Sequence, residues 1–180
     1  MTILVAYASV LGSTREIAER IAAHLATMGE VECRSVEDIE GASGYEAVVI
    51  GSAIHNQKWL PAALLFVRRR SGDLAGARVW AFSVGMADGL PRPFRKRACA
   101  LQQRRLPESL PPEIRLRGHK VFSGVYQASQ MPPLLRGLFR VTGGRFGDLR
   151  DWQAIDGWVD QIIARLATPP SPNSPDRATG

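Results

Sequence analysis

Residues 47–52, Ala-Val-Val-Ile-Gly-Ser, show no alternation of polar and apolar side chains. A strand of this kind is apolar on both faces, and both faces must be covered. That is the setting of a central strand in a parallel sheet flanked by helices. Four further runs rich in strand-forming residues fit the same frame, at 2–8, 30–36, 78–84 and 119–125. Between them lie segments with helical spacing. Ile17, Ile21, Leu25 and Met28 recur on one face of a first helix, which Gly29 ends. Pro61 suits the first turn of a second helix, with Leu64, Leu65 and Val67 on its apolar face and Gly72 near its end. A basic helix is expected over 93–105, a proline-broken loop over 106–112, and a closing helix over 152–166 with Asp151 as its cap. The whole predicts an α/β fold, a doubly wound five-stranded parallel sheet with helices on both faces.

The chain has 180 residues, 45% of them hydrophobic, enough for one well-buried core and too few for two ordinary domains. A single domain is expected over 1–167, followed by a disordered tail over 168–180 that is rich in Pro and Ser. The apolar start, Met1 to Tyr7, has no basic leader and meets turn residues at once, so it reads as a strand and the protein is expected to be cytoplasmic. No apolar run approaches the roughly 18 to 20 residues of a membrane span, so any membrane contact is expected to be peripheral. Cys33 and Cys99 form no paired motif, and His24, His55 and His119 have no metal-ligand spacing, so no metal site is expected.

Charge is uneven. The net charge is +6, yet residues 86–147 carry 12 Lys/Arg against 3 Asp/Glu, a local +9. Such asymmetry points to an anionic partner or to a solvated basic surface. Nucleic acid is not expected, because the stretch lacks interleaved aromatics and any reader motif.

The chemistry-bearing segment is Ser9-Val10-Leu11-Gly12-Ser13-Thr14, which joins the first strand to the first helix. Free backbone N–H groups and the helix dipole at such a junction hold a phosphate without a lysine. Gly12 lets the backbone approach closely, and Ser9, Ser13 and Thr14 add hydroxyls. Neither GxGxxG nor GxxxxGK[ST] is present, so a monophosphate is the natural guest.

This S-x-x-G-x-T pattern, directly after the first strand, resembles the FMN phosphate loop of flavodoxin-type proteins. The resemblance implies the strand order 2-1-3-4-5 and FMN as cofactor. It also implies that the flavin ring lies between the loops after strands three and four. Here those loops carry Ala53, Ile54, His55 and Asn56 on one side, and Val84, Gly85, Met86, Asp88 and Gly89 on the other. Trp59 offers a flat face for stacking, although its place before Pro61 favours packing on its own helix. A closer resemblance, to quinone-dependent protoporphyrinogen dehydrogenases of flavodoxin type, rests on Gly51-Ser52-Ala53-Ile54, on Phe122 to Tyr126 and on Asp151-Trp152. It implies an FMN-dependent oxidoreductase taking an acidic tetrapyrrole and a quinone. No catalytic acid or base is assigned.

Those enzymes carry a basic insert near strand five, and residues 133–144 occupy that place. Leu134, Leu135, Leu138 and Phe139 would share one helical face, with Arg136 and Arg140 on another. Basic amphipathic helices settle on anionic membranes, here the inner face, or pack on a sheet edge with their arginines in water. Arg92, Arg95, Lys96, Arg97, Arg136 and Arg140 could steer a carboxylated substrate. One positive charge about 6 Å from a reduced flavin, at an effective dielectric of about 20, stabilises it by roughly 3 kcal/mol, of order 0.1 V. That favours accepting electrons from a substrate. A flavodoxin-like carrier serving a protein partner and a non-catalytic binding module remain as alternatives, and a homodimer is left open.

Overall fold

The computed structural model describes residues 1–85, 89, 97, 100, 110–128 and 132–168, apart from the side chains of Pro133, Leu134 and Leu138. Apart from residues 97 and 100, the expected helix over 93–105 lies outside the described residues, as do most of the loop after it and the tail beyond Thr168.

Five strands build the main sheet: β1 (Thr2–Ala8), β2 (Glu30–Ser35), β3 (Ala47–His55), β5 (Arg78–Gly85) and β6 (Leu116–Ser123). Their order is β2-β1-β3-β5-β6, with every neighbouring pair parallel. This is the expected 2-1-3-4-5 arrangement. A short β4 (Lys58–Trp59) folds back antiparallel on the end of β3, with Ile54 opposite Trp59 and His55 opposite Lys58. The loop expected after strand three, with Ala53 to Asn56, is therefore strand as far as His55 and then a two-residue hairpin turn, with Asn56 at φ 49° and Gln57 at φ 63°. Left-handed geometry at both positions matches the twist of the flanking strands.

Successive β1 side chains point to opposite faces, and the core divides accordingly. Ile3 and Val5 pack with Ile17, Ile21 and Leu25 of α1 (Ser13–Leu25), and with Ile155, Trp158 and Ile162 of the closing helix (Trp152–Ala167). Leu4 and Ala6 face Ala63, Phe66 and Val67 of α2 (Pro61–Arg69), and Leu74 of α3 (Ser71–Ala75). Leu65, expected on the buried face of α2, is exposed instead, and Phe66 takes the inward position. Trp80 lies in the first core cluster, and Asp151 caps the closing helix by accepting from the Ala154 N–H at 2.9 Å.

Gly51 marks the tightest packing. A Cβ there would lie 1.9 Å from Cζ of Phe82, whose ring is fully buried and meets Phe122 and Trp158 with centroids 6.3 Å away in both cases. At the amino end of β5, the Arg78 guanidinium donates to the carbonyl of Leu166 at 3.2 Å and reaches Sδ of Met1 at 3.5 Å.

The fifth strand, expected to run to residue 125, ends at Ser123, and Gly124 interrupts it. The chain continues as β7 (Val125–Tyr126), α4 (Pro133–Val141) and β8 (Gly147–Asp148), with β7 and β8 paired antiparallel. The closing helix is then α5. Gly143, at φ 88°, ends α4. Its N–H bonds Arg140 O at 3.0 Å and the next N–H bonds Phe139 O at 2.8 Å, the paired pattern that favours glycine. Tyr126, Phe139 and Phe146 form an aromatic cluster with centroids 4.9 to 5.7 Å apart, and Arg140 lies 5.8 Å over Phe146. Leu135, expected on the apolar face with Phe139, is exposed. No helix among the described residues is long and apolar enough to cross a membrane.

Cys33 on β2 carries a free thiol, pushed up to about 11 from 9.0 by burial first and by the Glu19 carboxylate second. Below pH 9 the thiol is protonated in both folded and unfolded chains. Between pH 9 and about 11 the unfolded chain loses this proton while the folded one keeps it, so stability falls as pH rises through that window. Alkylation of native protein by iodoacetamide should be slow at pH 8. Labelling at Cys33 as fast as a free thiol would contradict this environment.

Candidate functional site

The carboxyl ends of β1, β3 and β5 lie side by side, with Ala8 opposite Ser52 and Ser52 opposite Ser83. Crevices beyond such strand ends are where doubly wound sheets take ligands. Gly12 adopts φ 88° and is the N-cap of α1. Its N–H donates to Ser9 Oγ at 3.1 Å and its carbonyl accepts from the Glu16 N–H at 3.0 Å. Val10 and Leu11 stand out in solvent at 71% and 67% exposure. Ser13 opens the helix. Thr14 is buried, and its Oγ1 has no hydrogen-bond partner among the described residues. A buried hydroxyl left unsatisfied costs about 1–3 kcal/mol, so an orphan beside free helix N–H groups fits an anionic guest.

The other two loops converge on the same rim. A Cβ on Gly124 would lie 2.9 Å from Ser13 Oγ and 2.8 Å from Val84 Cγ1, so the close approach of α1 and β5 needs glycine there. Val84, Gly85 and Gly89 are buried, whereas Met86 and Asp88 fall outside the described residues, as do Arg92, Arg95 and Lys96. Ala53 and Ile54 are half-buried on β3, and His55 and Asn56 are exposed at the hairpin.

The hairpin is pinned by two serines: the Leu60 N–H donates to Ser52 Oγ at 3.0 Å, and Trp59 Nε1 donates to Ser83 Oγ at 2.7 Å. Ser83 Oγ also lies 2.9 Å from His119 Nε2. The Trp59 indole is thus buried against α2 with its N–H committed, and it is not a stacking face.

Sequence reasoning missed the device that joins the β7–α4–β8 segment to the site. Arg145 N donates to Gly89 O at 2.9 Å, and Gly124 N to Gly85 O at 3.0 Å, which fastens the segment to the β5 loop. Arg150 donates to Asp148 through Nε at 2.8 Å and Nη2 at 2.6 Å, and through Nη1 to Glu16 in the first turn of α1. Its guanidinium also lies 4.7 Å over the Trp152 ring. The two carboxylates raise the Arg150 pKa, and Arg150 holds Asp148 below the usual carboxylate range. The only hint in sequence was the Arg150-Asp151-Trp152 run; nothing links it to Glu16 across 134 positions. A depression of about 400 Å³ at the amino ends of β1 and β2 is lined by Glu30, Glu32 and Tyr45. Its carboxylates would repel a phosphate.

A family model described as flavodoxin domain matches residues 4–141. The chain belongs to the flavodoxin domain family. No curated protein matches it. Among solved structures, this flavodoxin domain is similar to oxidised flavodoxin 1 of Bacillus cereus, at 18% identity and TM-score 0.56, over 93% of this chain and 100% of that one. It also resembles a short-chain flavodoxin associated with a non-canonical PDU bacterial microcompartment, at 12% identity and TM-score 0.59, over 93% and 99%. A Fusobacterium nucleatum flavodoxin bound to flavin mononucleotide matches at 14% identity and TM-score 0.53, over 91% and 98%. At these identities the likeness establishes the fold.

Proposed function

We propose that this flavodoxin domain binds FMN and acts as an electron carrier. The observation that carries the reading is the buried Thr14 hydroxyl at the start of α1, without a hydrogen-bond partner among the described residues and in a loop without lysine. The backbone N–H groups of Val10, Leu11, Ser13 and Thr14, with the hydroxyls of Ser9, Ser13 and Thr14, would hold the phosphate, and Gly12 shapes the turn. Ala53, Ile54, His55 and Asn56 on one side, and Val84, Gly85 and Gly89 with Met86 and Asp88 on the other, would flank the ring. Bound FMN supplies reversible one- and two-electron redox chemistry. The residues of the chain bind and orient it, and Ser52 and Ser83 keep the hairpin in place. The family and its flavodoxin relatives favour a carrier over an enzyme with a small-molecule substrate.

One observation favours a second reading. The segment carrying Arg136, Arg140 and Arg145 is fastened to the β5 loop, which would set basic charge beside the flavin. That suits an acidic substrate such as a tetrapyrrole, with a quinone acceptor and a peripheral membrane contact through 133–144. Anaerobic reductive titration of FMN-loaded protein, followed by turnover assays with protoporphyrinogen and quinones, separates the two. The carrier predicts two resolved one-electron steps and no turnover. Turnover would establish the second reading, and failure to bind FMN at high micromolar concentration would overturn both.

A further inference from the structure

Glu16 is poorly placed for a phosphate-binding helix. Its carboxylate belongs to the first turn of α1, and Oε1 lies 3.8 Å from where a Cβ on Gly12 would be. A carboxylate there favours the helix dipole in the empty protein but repels an arriving dianion. Arg150 meets this carboxylate from another part of the fold. Its side chain is only 11% exposed, is held in a fork by Asp148 and covers the Trp152 ring. A guanidinium locked in this way cannot swing to solvent and leave Glu16 uncompensated.

We infer that Arg150 is a positioning residue for the cofactor phosphate: it neutralises Glu16 and holds it aside, so that the lysine-free loop 9–14 tolerates a dianion. This deepens the FMN reading and rests on it. Arg150 acts on the cofactor through Glu16 and not by direct contact. Because Asp148 ends β8, the same clasp ties phosphate binding to the seating of the β7–α4–β8 segment.

The test titrates apo wild type, Arg150→Gln, Glu16→Gln and the double variant with FMN and with riboflavin, which has the same ring and no phosphate. At low ionic strength Arg150→Gln is expected to weaken FMN about tenfold or more, and riboflavin by less than about twofold. Glu16→Gln should tighten FMN severalfold, a gain that no folding defect can mimic. The double variant should bind FMN close to wild type, and about 1 M salt should shrink all these differences. Equal losses for FMN and riboflavin would reduce Arg150 to a structural brace and overturn the inference, as would weaker FMN binding by Glu16→Gln. Should Arg150→Gln not fold, Glu16→Gln decides alone. Wild type that binds neither flavin refutes the FMN reading itself; wild type that binds FMN with both variants unchanged refutes only the role of Arg150.

Discussion

Alanine at position 51 should destabilise the protein by about 3 kcal/mol, because the added methyl would meet the Phe82 ring inside contact distance. Neither partner has room to yield. Gly51 is on a central strand paired on both sides, with Tyr7 and with Phe82, and the Phe82 ring is wedged against Phe122 and Trp158. Relief therefore requires β3 to separate from its neighbours or the aromatic triangle to repack. Urea unfolding should show a lower midpoint with an unchanged slope. Shrinking the ring in the Gly51→Ala/Phe82→Leu double variant should recover part of the loss, a coupling that distant residues do not show. A Gly51→Ala midpoint equal to wild type would mean that the sheet packs differently here.

Valine at position 14 should move stability and ligand binding in opposite directions. Thr14→Val keeps the shape of the side chain and removes a buried hydroxyl that has no partner among the described residues. The empty protein should gain about 1 kcal/mol, since nothing is lost and a desolvated polar atom disappears. FMN affinity should fall about tenfold to hundredfold, the worth of a hydrogen bond to a charged group, while riboflavin binds as before. Thr14→Ser, which retains the oxygen, should stay near wild type. A Thr14→Val protein that is less stable when empty and binds FMN unchanged would show that the hydroxyl serves the fold and not a ligand.

Local signals carried the architecture. The apolar run at 47–52, the Gly12 turn, Pro61 at the first position of α2 and Asp151 before α5 each act within a few residues of themselves, and each stands where pattern and turn chemistry put it. The 56–57 turn escaped because Asn-Gln is not a hairpin dipeptide; two side chains are held in left-handed geometry by what β4 gains elsewhere, the Ser52 and Ser83 hydrogen bonds. Val125 and Tyr126 are good strand formers, so the pattern carries strand five to 125. Their partner is β8, twenty residues on, and no local signal reports that choice. Leu65 and Leu135 depart from the pattern for one reason: helical spacing narrows a face to a sector, and an exposed leucine at its edge looks the same in sequence as a buried one. The candidate loop 9–14 is legible as a glycine turn into a helix, whereas the Arg150 clasp is not, since it joins two carboxylates, one of them at the other end of the chain.

Arg78 connects the start of β1 with the end of α5, at the amino edge of the sheet, while the rim built from Gly12, His55 and Gly85 lies at the carboxyl edge. A tether attached beside either Met1 or Leu166 would leave the molecule on the side away from that rim. An electrode surface, a fused reductase or an affinity bead joined there would hold the domain with its rim facing outward. A bridge joining Met1 to Leu166, with the chain reopened elsewhere, would need to be only short.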